Sequence, residues 1–142
     1  MPARSTTQTG LKSPDEKITI NIGCVDLGQI DLLVAEGFYS NRTDLIRTAI
    51  RNQLASHEPV LQSVVARKML VLGIQHYTAA DLEQHRAARQ PLDIKVLGLA
   101  SFADDVTPAL VLDVVNSISV LGAIHAAPAV KAALAKRMST RP

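Results

Sequence analysis

Lys17-Ile-Thr-Ile-Asn-Ile22 alternates polar and apolar residues without a break, and its surroundings decide what that alternation can become. Period two puts Ile18, Ile20 and Ile22 on one face of a strand and Lys17, Thr19 and Asn21 on the other. The pattern that follows is helical, so no hairpin partner lies nearby in the chain. The strand therefore calls for a partner from elsewhere, most simply the same strand of a second copy. A two-stranded ribbon with long polar side chains on its free face fits a DNA major groove. The first expectation is a dimer whose ribbon reads DNA.

Upstream, residues 1–15 are rich in Ser, Thr, Gln, Gly and Pro without periodicity and read as a flexible arm. Downstream, Val25 to Glu36 spaces Leu27, Ile30, Leu33 and Val34 as one helical face, and Gly37 stops that helix. Phe38-Tyr39-Ser40 forms a short turn. Asn41 with Asp44 three residues on has the character of a capping box, with Asp in place of the usual Glu. Leu45, Ile46, Ala49, Ile50 and Leu54 then stripe a second helix to about Ser56, and Pro59 ends it or begins a linker.

This order of strand, helix and helix resembles the ribbon–helix–helix DNA-binding family, of the Arc and MetJ type. The resemblance covers roughly residues 16–57. It rests on Lys17-Ile-Thr-Ile-Asn-Ile22, on Gln29-Ile-Asp-Leu-Leu33 and on Gly37-Phe-Tyr-Ser-Asn-Arg-Thr-Asp-Leu-Ile-Arg47. It implies a two-fold dimer through residues 16–57 with its paired strands in the major groove of double-stranded DNA. By position it makes Lys17, Thr19 and Asn21 the base readers. It also implies that Asn41, Arg42 and Thr43, opening the second helix, clamp a phosphate. The physics agrees, because free amides at a helix N-terminus favour an anion.

Charge does not advertise this role. Up to Glu58 the basic residues are Arg4, Lys12, Lys17, Arg42, Arg47 and Arg51, against Asp15, Glu16, Asp26, Asp31, Glu36, Asp44 and Glu58, a net of −1. With +2 for the whole chain, the remainder carries +3. DNA affinity must then come from local placement of charge. The composition is 47% hydrophobic and 3% aromatic with no Trp, so aliphatic residues build the core. No apolar run approaches the roughly 18 residues of a membrane span, and no signal pattern opens the chain. The lone Cys24 forms no internal disulfide, and a cytoplasmic protein with no membrane partner is expected.

A second signal lies downstream. Val-Leu-Gly recurs at Val71, Val96 and Val120, at spacings of 25 and 24. Each triplet ends a run of β character: Met69–Leu72, Leu92–Leu97 and Ile118–Leu121. Each is followed by a helix start, at Thr78-Ala-Ala-Asp81, Thr107-Pro108 and Ala127-Pro128. The helices carry Leu82, then Leu110, Val111 and Val114, then Val130, Ala133 and Leu134. Three strand–turn–helix units at this period predict a short solenoid of parallel strands with helices over one face.

Little else carries chemistry. His57, His76, His85 and His125 invite comparison with nickel-responsive ribbon–helix–helix repressors, but His76 and His85 are nine apart and Cys24 lies in the other domain. Metal sites need converging ligands, so no metal or other cofactor is expected. His76 and His125, each three residues after its glycine, read as stacked loop residues, and Asp104-Asp105 as a solvated loop. With no nucleophile elbow, phosphate loop or paired carboxylates, an enzyme is not expected.

The expected architecture is α+β: a flexible arm (1–15), a dimeric ribbon–helix–helix module (16–58) and a three-unit strand–helix repeat domain with parallel strands (66–138), with a boundary near 58–66. The expected function is that of a DNA-binding transcriptional regulator, a repressor, whose repeat domain joins dimers into tetramers or larger arrays. Two other roles fit the same layout. One is an assembly protein whose repeats self-associate while the N-terminal module only dimerises. The other is an antitoxin binding DNA and a toxin, although the apolar periodic tail is a poor match to a segment that folds on a toxin.

Overall fold

Gly23, in an extended conformation, leads into α1 (Cys24–Ala35), whose first turn holds Asp26 against the positive end of the helix dipole. The helix ends where Gly37 takes φ +83°. The Phe38 amide reaches back to the Leu33 carbonyl at 3.0 Å and the Gly37 amide to that of Val34 at 3.1 Å. These are the two bonds of a Schellman stop, which needs the left-handed residue that glycine supplies at least cost. α2 (Arg42–Ser56) follows with Asn41 as its N-cap. The computed structural model describes residues 15–138, so the arm expected over residues 1–15 lies outside the described residues except for Asp15.

Pro59 neither ends α2 nor opens a linker. It sits in the first turn of α3 (Glu58–Lys68), an eleven-residue helix across the stretch expected to be a domain boundary. The reason is positional: in a first turn proline gives up an amide that has no intrahelical partner anyway. Arg67 and Lys68 lie in the last turn of this helix.

The chain divides into two compact units, one spanning Lys17–Leu70 and the other beginning at Val71. The first has almost no interior. None of the residues of α1, α2 or α3 is buried. Ile18 is 83% exposed and Ile20 66%, and Leu32, Leu33, Ile50 and Leu54 are exposed as well. Residues 17–22 form no strand in the single chain. A strand exists only through its ladder, and this chain offers residues 17–22 no second strand within their unit.

The second unit holds the core. β1 (Val71–Tyr77), α4 (Ala79–Ala87), β2 (Leu92–Phe102), α5 (Pro108–Val114), β3 (Val115–His125) and α6 (Pro128–Ala135) alternate in chain order. The strands form one parallel sheet in the order β1-β2-β3. α4 packs on α5 and α5 on α6. Leu82, Leu110, Val111, Val114, Val130, Ala133 and Leu134, the positions that the helical spacing picked out, are all buried against Ile94, Val96, Ala100, Phe102 and Ile118 from the sheet. Each buried Leu, Ile, Val or Phe among them is worth about 1.5–3 kcal/mol of hydrophobic stabilisation. Two helix starts carry the predicted side-chain caps. Thr78 and Asp81 form a reciprocal capping box, and Thr107 accepts the Leu110 amide at 3.2 Å.

The strands outrun their Val-Leu-Gly triplets: the triplet opens β1 and lies within β2 and β3, and closes none of them. Gly73, Gly98 and Gly122 pair in register across all three strands with φ of +117°, +137° and +123°. A β-carbon on Gly98 would collide with the carbonyl oxygen of Gly73, and one on Gly122 with that of Gly98. The glycines thus let adjacent backbones approach at one rung, and the strands continue beyond it. His76 and His125 are correspondingly strand residues, not loop residues. They flank Ser101 on a single rung, and His76 Nδ1 lies 3.2 Å from the Ser101 hydroxyl.

Candidate nucleic-acid interface

Lys17, Thr19 and Asn21 are exposed, and so are the isoleucines between them. In one chain the segment therefore shows both its faces to solvent. The apolar half of the alternation is what a partner would cover, leaving the polar half outward.

The start of α2 is built more tightly. Asn41 is extended at φ −164°, and its Oδ1 accepts the Asp44 amide at 2.8 Å. Asp44 Oδ2 in turn accepts the Ser40 amide at 3.0 Å. The reciprocal arrangement inferred from Asn41 and Asp44 is thus present, except that Asp44 takes the amide of Ser40, one residue before the N-cap, and not that of Asn41 itself. As the first two residues of the helix, Arg42 and Thr43 have amides without an intrahelical acceptor, and these point out along the helix axis. Thr43 is exposed.

Arg42 is engaged. Its Nε donates to Asp31 Oδ1 at 2.7 Å and its Nη2 to Asp31 Oδ2 at 2.8 Å. This two-pronged pairing ties the start of α2 to the middle of α1. The donated hydrogen bonds hold the Asp31 carboxyl below its ordinary range and raise the already high value of Arg42. About half of each side chain is exposed. The fork uses Nε and Nη2, so the second terminal nitrogen, Nη1, is the edge that can face a further anion.

Five of the six residues expected to touch DNA thus lie exposed without an opposing acid fork, and the sixth is already paired. Asp31 was not legible as a site residue. It sits eleven positions before Arg42 on another helix, a separation that no single helix or strand repeat encodes. Ser101 had a signal available, since it occupies in the second strand–helix repeat the place that His76 and His125 hold in the first and third.

Among the described residues no three His, Cys, Asp or Glu side chains gather in a way that could hold a metal ion, and no helix is long and apolar enough to cross a membrane. Asp105 does more than face solvent, since its Oδ1 accepts the Ala79 amide at 3.1 Å and joins the β2–α5 loop to the start of α4.

No curated protein and no solved structure matches the chain. The family model of the ribbon–helix–helix transcriptional regulators matches residues 13–131, from just before the alternating segment, through the three helices, into the last strand–helix unit. The match thus takes in both compact units, well past the forty or so N-terminal residues that carry the resemblance. With strand-competent segment, paired helices and repeat units all inside that match, the chain belongs to the ribbon–helix–helix transcriptional regulator family.

Proposed function

We propose that the protein is a sequence-specific DNA-binding repressor that works as a dimer, with Lys17–Ile22 of two chains paired antiparallel as a ribbon in the major groove. The observation that carries this reading is the missing interior of the first unit. Its helices bury nothing and its isoleucines stand in solvent, in a chain whose family is one of transcriptional regulators. A unit of this size cannot be stable while leaving its apolar residues uncovered, and a two-fold copy covers them while supplying the missing ladder partner.

On this reading Lys17, Thr19 and Asn21 contact base edges, and the start of α2 holds a phosphate on each side. Because Asp31 already occupies the Nε–Nη2 edge of Arg42, the phosphate is held chiefly by the Arg42 and Thr43 amides and the Asn41 side-chain amide group. The second unit joins dimers, so that weak half-site contacts add through effective concentration.

The test is a gel shift of the full chain on the region upstream of its own reading frame, against an unrelated duplex of equal length, over a salt series. A repressor gives a specific complex that weakens steeply with salt and forms cooperatively. Equal affinity for both duplexes removes the sequence-specific reading. No binding to either, by a protein of dimeric or greater mass, points to an assembly protein.

A further inference from the structure

The second unit repeats itself without closing. Val71-Leu-Gly73, Val96-Leu-Gly98 and Val120-Leu-Gly122 stand side by side in one parallel sheet, so its two outer strands carry the same triplet at the same rungs. Among the described residues both outer edges are open there. β1 pairs only with β2, and β3 meets a further segment only at Ile118, which bridges to Met138 two positions before Val120. Edge strands are ordinarily blunted by a charge or a proline. Val71–Tyr77 and residues 120–125 contain no Lys, Arg, Asp, Glu or Pro.

The glycines set the direction in which a strand can add. At Gly98 the place of a β-carbon is taken by the carbonyl oxygen of Gly73, and at Gly122 by that of Gly98. Gly73 has the same left-handed backbone, at φ +117°, but nothing stands beside it, and no glycine of the chain lies against the Gly122 carbonyl. One edge thus lacks the carbonyl that the other edge presents. The helix side of the β3 edge is also unfilled: a groove of about 350 Å³ runs along it, lined by Val120, Gly122, Ile124, Leu134, Met138 and Lys131. Val96, flanked on both sides, is buried, whereas Val71 at the same rung is 45% exposed. A strand added to β3 in the register of the sheet sets its own Val71 beside Val120, at that groove.

We propose that β1 of one chain adds in parallel to β3 of another, Val71 beside Val120 and Gly73 beside Gly122, so that the sheet continues from copy to copy. The contact is head-to-tail. Each added chain presents a fresh β3 edge, and the chains join in open rows rather than closed pairs. The proposal names the surface by which the second unit joins dimers and rests on that joining in the function proposed above. The pairing of residues 17–22 is a separate contact.

Disulfide trapping in full-length protein carrying Cys24→Ser tests the pairing. Leu72 and Leu121 are exposed, so Leu72→Cys and Leu121→Cys leave the core intact. Within one chain β2 separates the two positions, roughly 10 Å apart and beyond the reach of a disulfide; across the proposed contact they are neighbours at about 4.8 Å, within it. Under mild oxidation the double variant is expected to give a ladder of two, three and more linked chains. A mixture of the two single variants is expected to give a two-chain product several-fold above either one alone. Single variants that link as well as the mixture show like edges meeting and overturn the head-to-tail contact. No link in the double variant or the mixture, in protein of dimeric mass that shifts its upstream duplex, overturns the strand pairing and leaves the repressor dimer standing. A single-chain mass without links overturns both. Val71→Lys in the double variant gives the second reading. It sets a lysine in the groove beside Lys131, so with unchanged circular dichroism the ladder should be lost, and a ladder of undiminished strength counts against the proposal.

Discussion

Arg42 holds Asp31 through two parallel hydrogen bonds, of 2.7 and 2.8 Å, and so spends part of the one guanidinium best placed for a phosphate on a carboxylate within its own chain. The pairing links α1 to the start of α2 that the proposed phosphate contact uses. It also cancels local positive charge in a module that is net negative. On the proposed phosphate contact, DNA affinity is moderated from within, and removing the acid should release it.

Asp31→Asn is expected to tighten binding to all duplexes alike and to steepen the salt dependence by about one phosphate contact, since the freed arginine adds one charge to the footprint. Fluorescence anisotropy over a salt series measures both. An unchanged slope with unchanged affinity would mean that Arg42 does not face the DNA backbone.

Ile20→Lys tests the dimer. The residue is largely exposed in one chain, so a lone chain would tolerate the lysine easily. In a two-fold ribbon it lies in the shared core, where an unpaired charge is not accommodated. Sedimentation velocity should show loss of the N-terminal dimer. A variant of wild-type mass and wild-type helical content would contradict the pairing.

The stacked glycines predict an order of effects. Gly73→Ala meets no neighbouring atom and bears only the cost of its positive φ, roughly 1–2 kcal/mol. Gly98→Ala bears that cost and adds a collision with the Gly73 carbonyl, so it should be the more damaging. Thermal melts of the two variants decide this, and equal losses would show that the close approach at the central strand is not what requires glycine.

Asp31, Asp81 and Asp93 are all held below the ordinary carboxylate range, by hydrogen bonds from Arg42, from Thr78 and from Ser117 with Asn116 respectively. Groups depressed in the folded state contribute stability above their unfolded value, near 4, and lose it as the pH falls through the folded value. Stability should accordingly decline below about pH 4. The decline should be shallower in Asp81→Asn, as denaturant titrations at stepped pH will show. An unaltered acid limb in that variant would remove the capping box as a cause.

Much of this was legible in the sequence, for reasons that differ by element. Local chemistry shows through: the caps at Asn41, Thr78 and Thr107, the stop at Gly37 and the buried positions of α4, α5 and α6 all follow from short-range pattern. Pro59 misleads as a local signal because proline's meaning depends on whether a helix starts or continues there. The strands extended past Gly73, Gly98 and Gly122 because glycine need not end a strand when its neighbours on the rung are also glycine. The Asp31–Arg42 pair was invisible because it depends on how two helices fold back on each other. The strand at 17–22 is readable in the alternation, yet a single chain does not form it, since its unit holds no second strand to pair with.

The most direct measurement compares wild type with Asn21→Ala and Thr19→Ala on the upstream duplex and on an unrelated duplex of the same length. If the paired strands read base edges, each variant loses about 1–3 kcal/mol on the upstream duplex and almost nothing on the unrelated one. If both affinities stay as they are in wild type, the ribbon is not the reader.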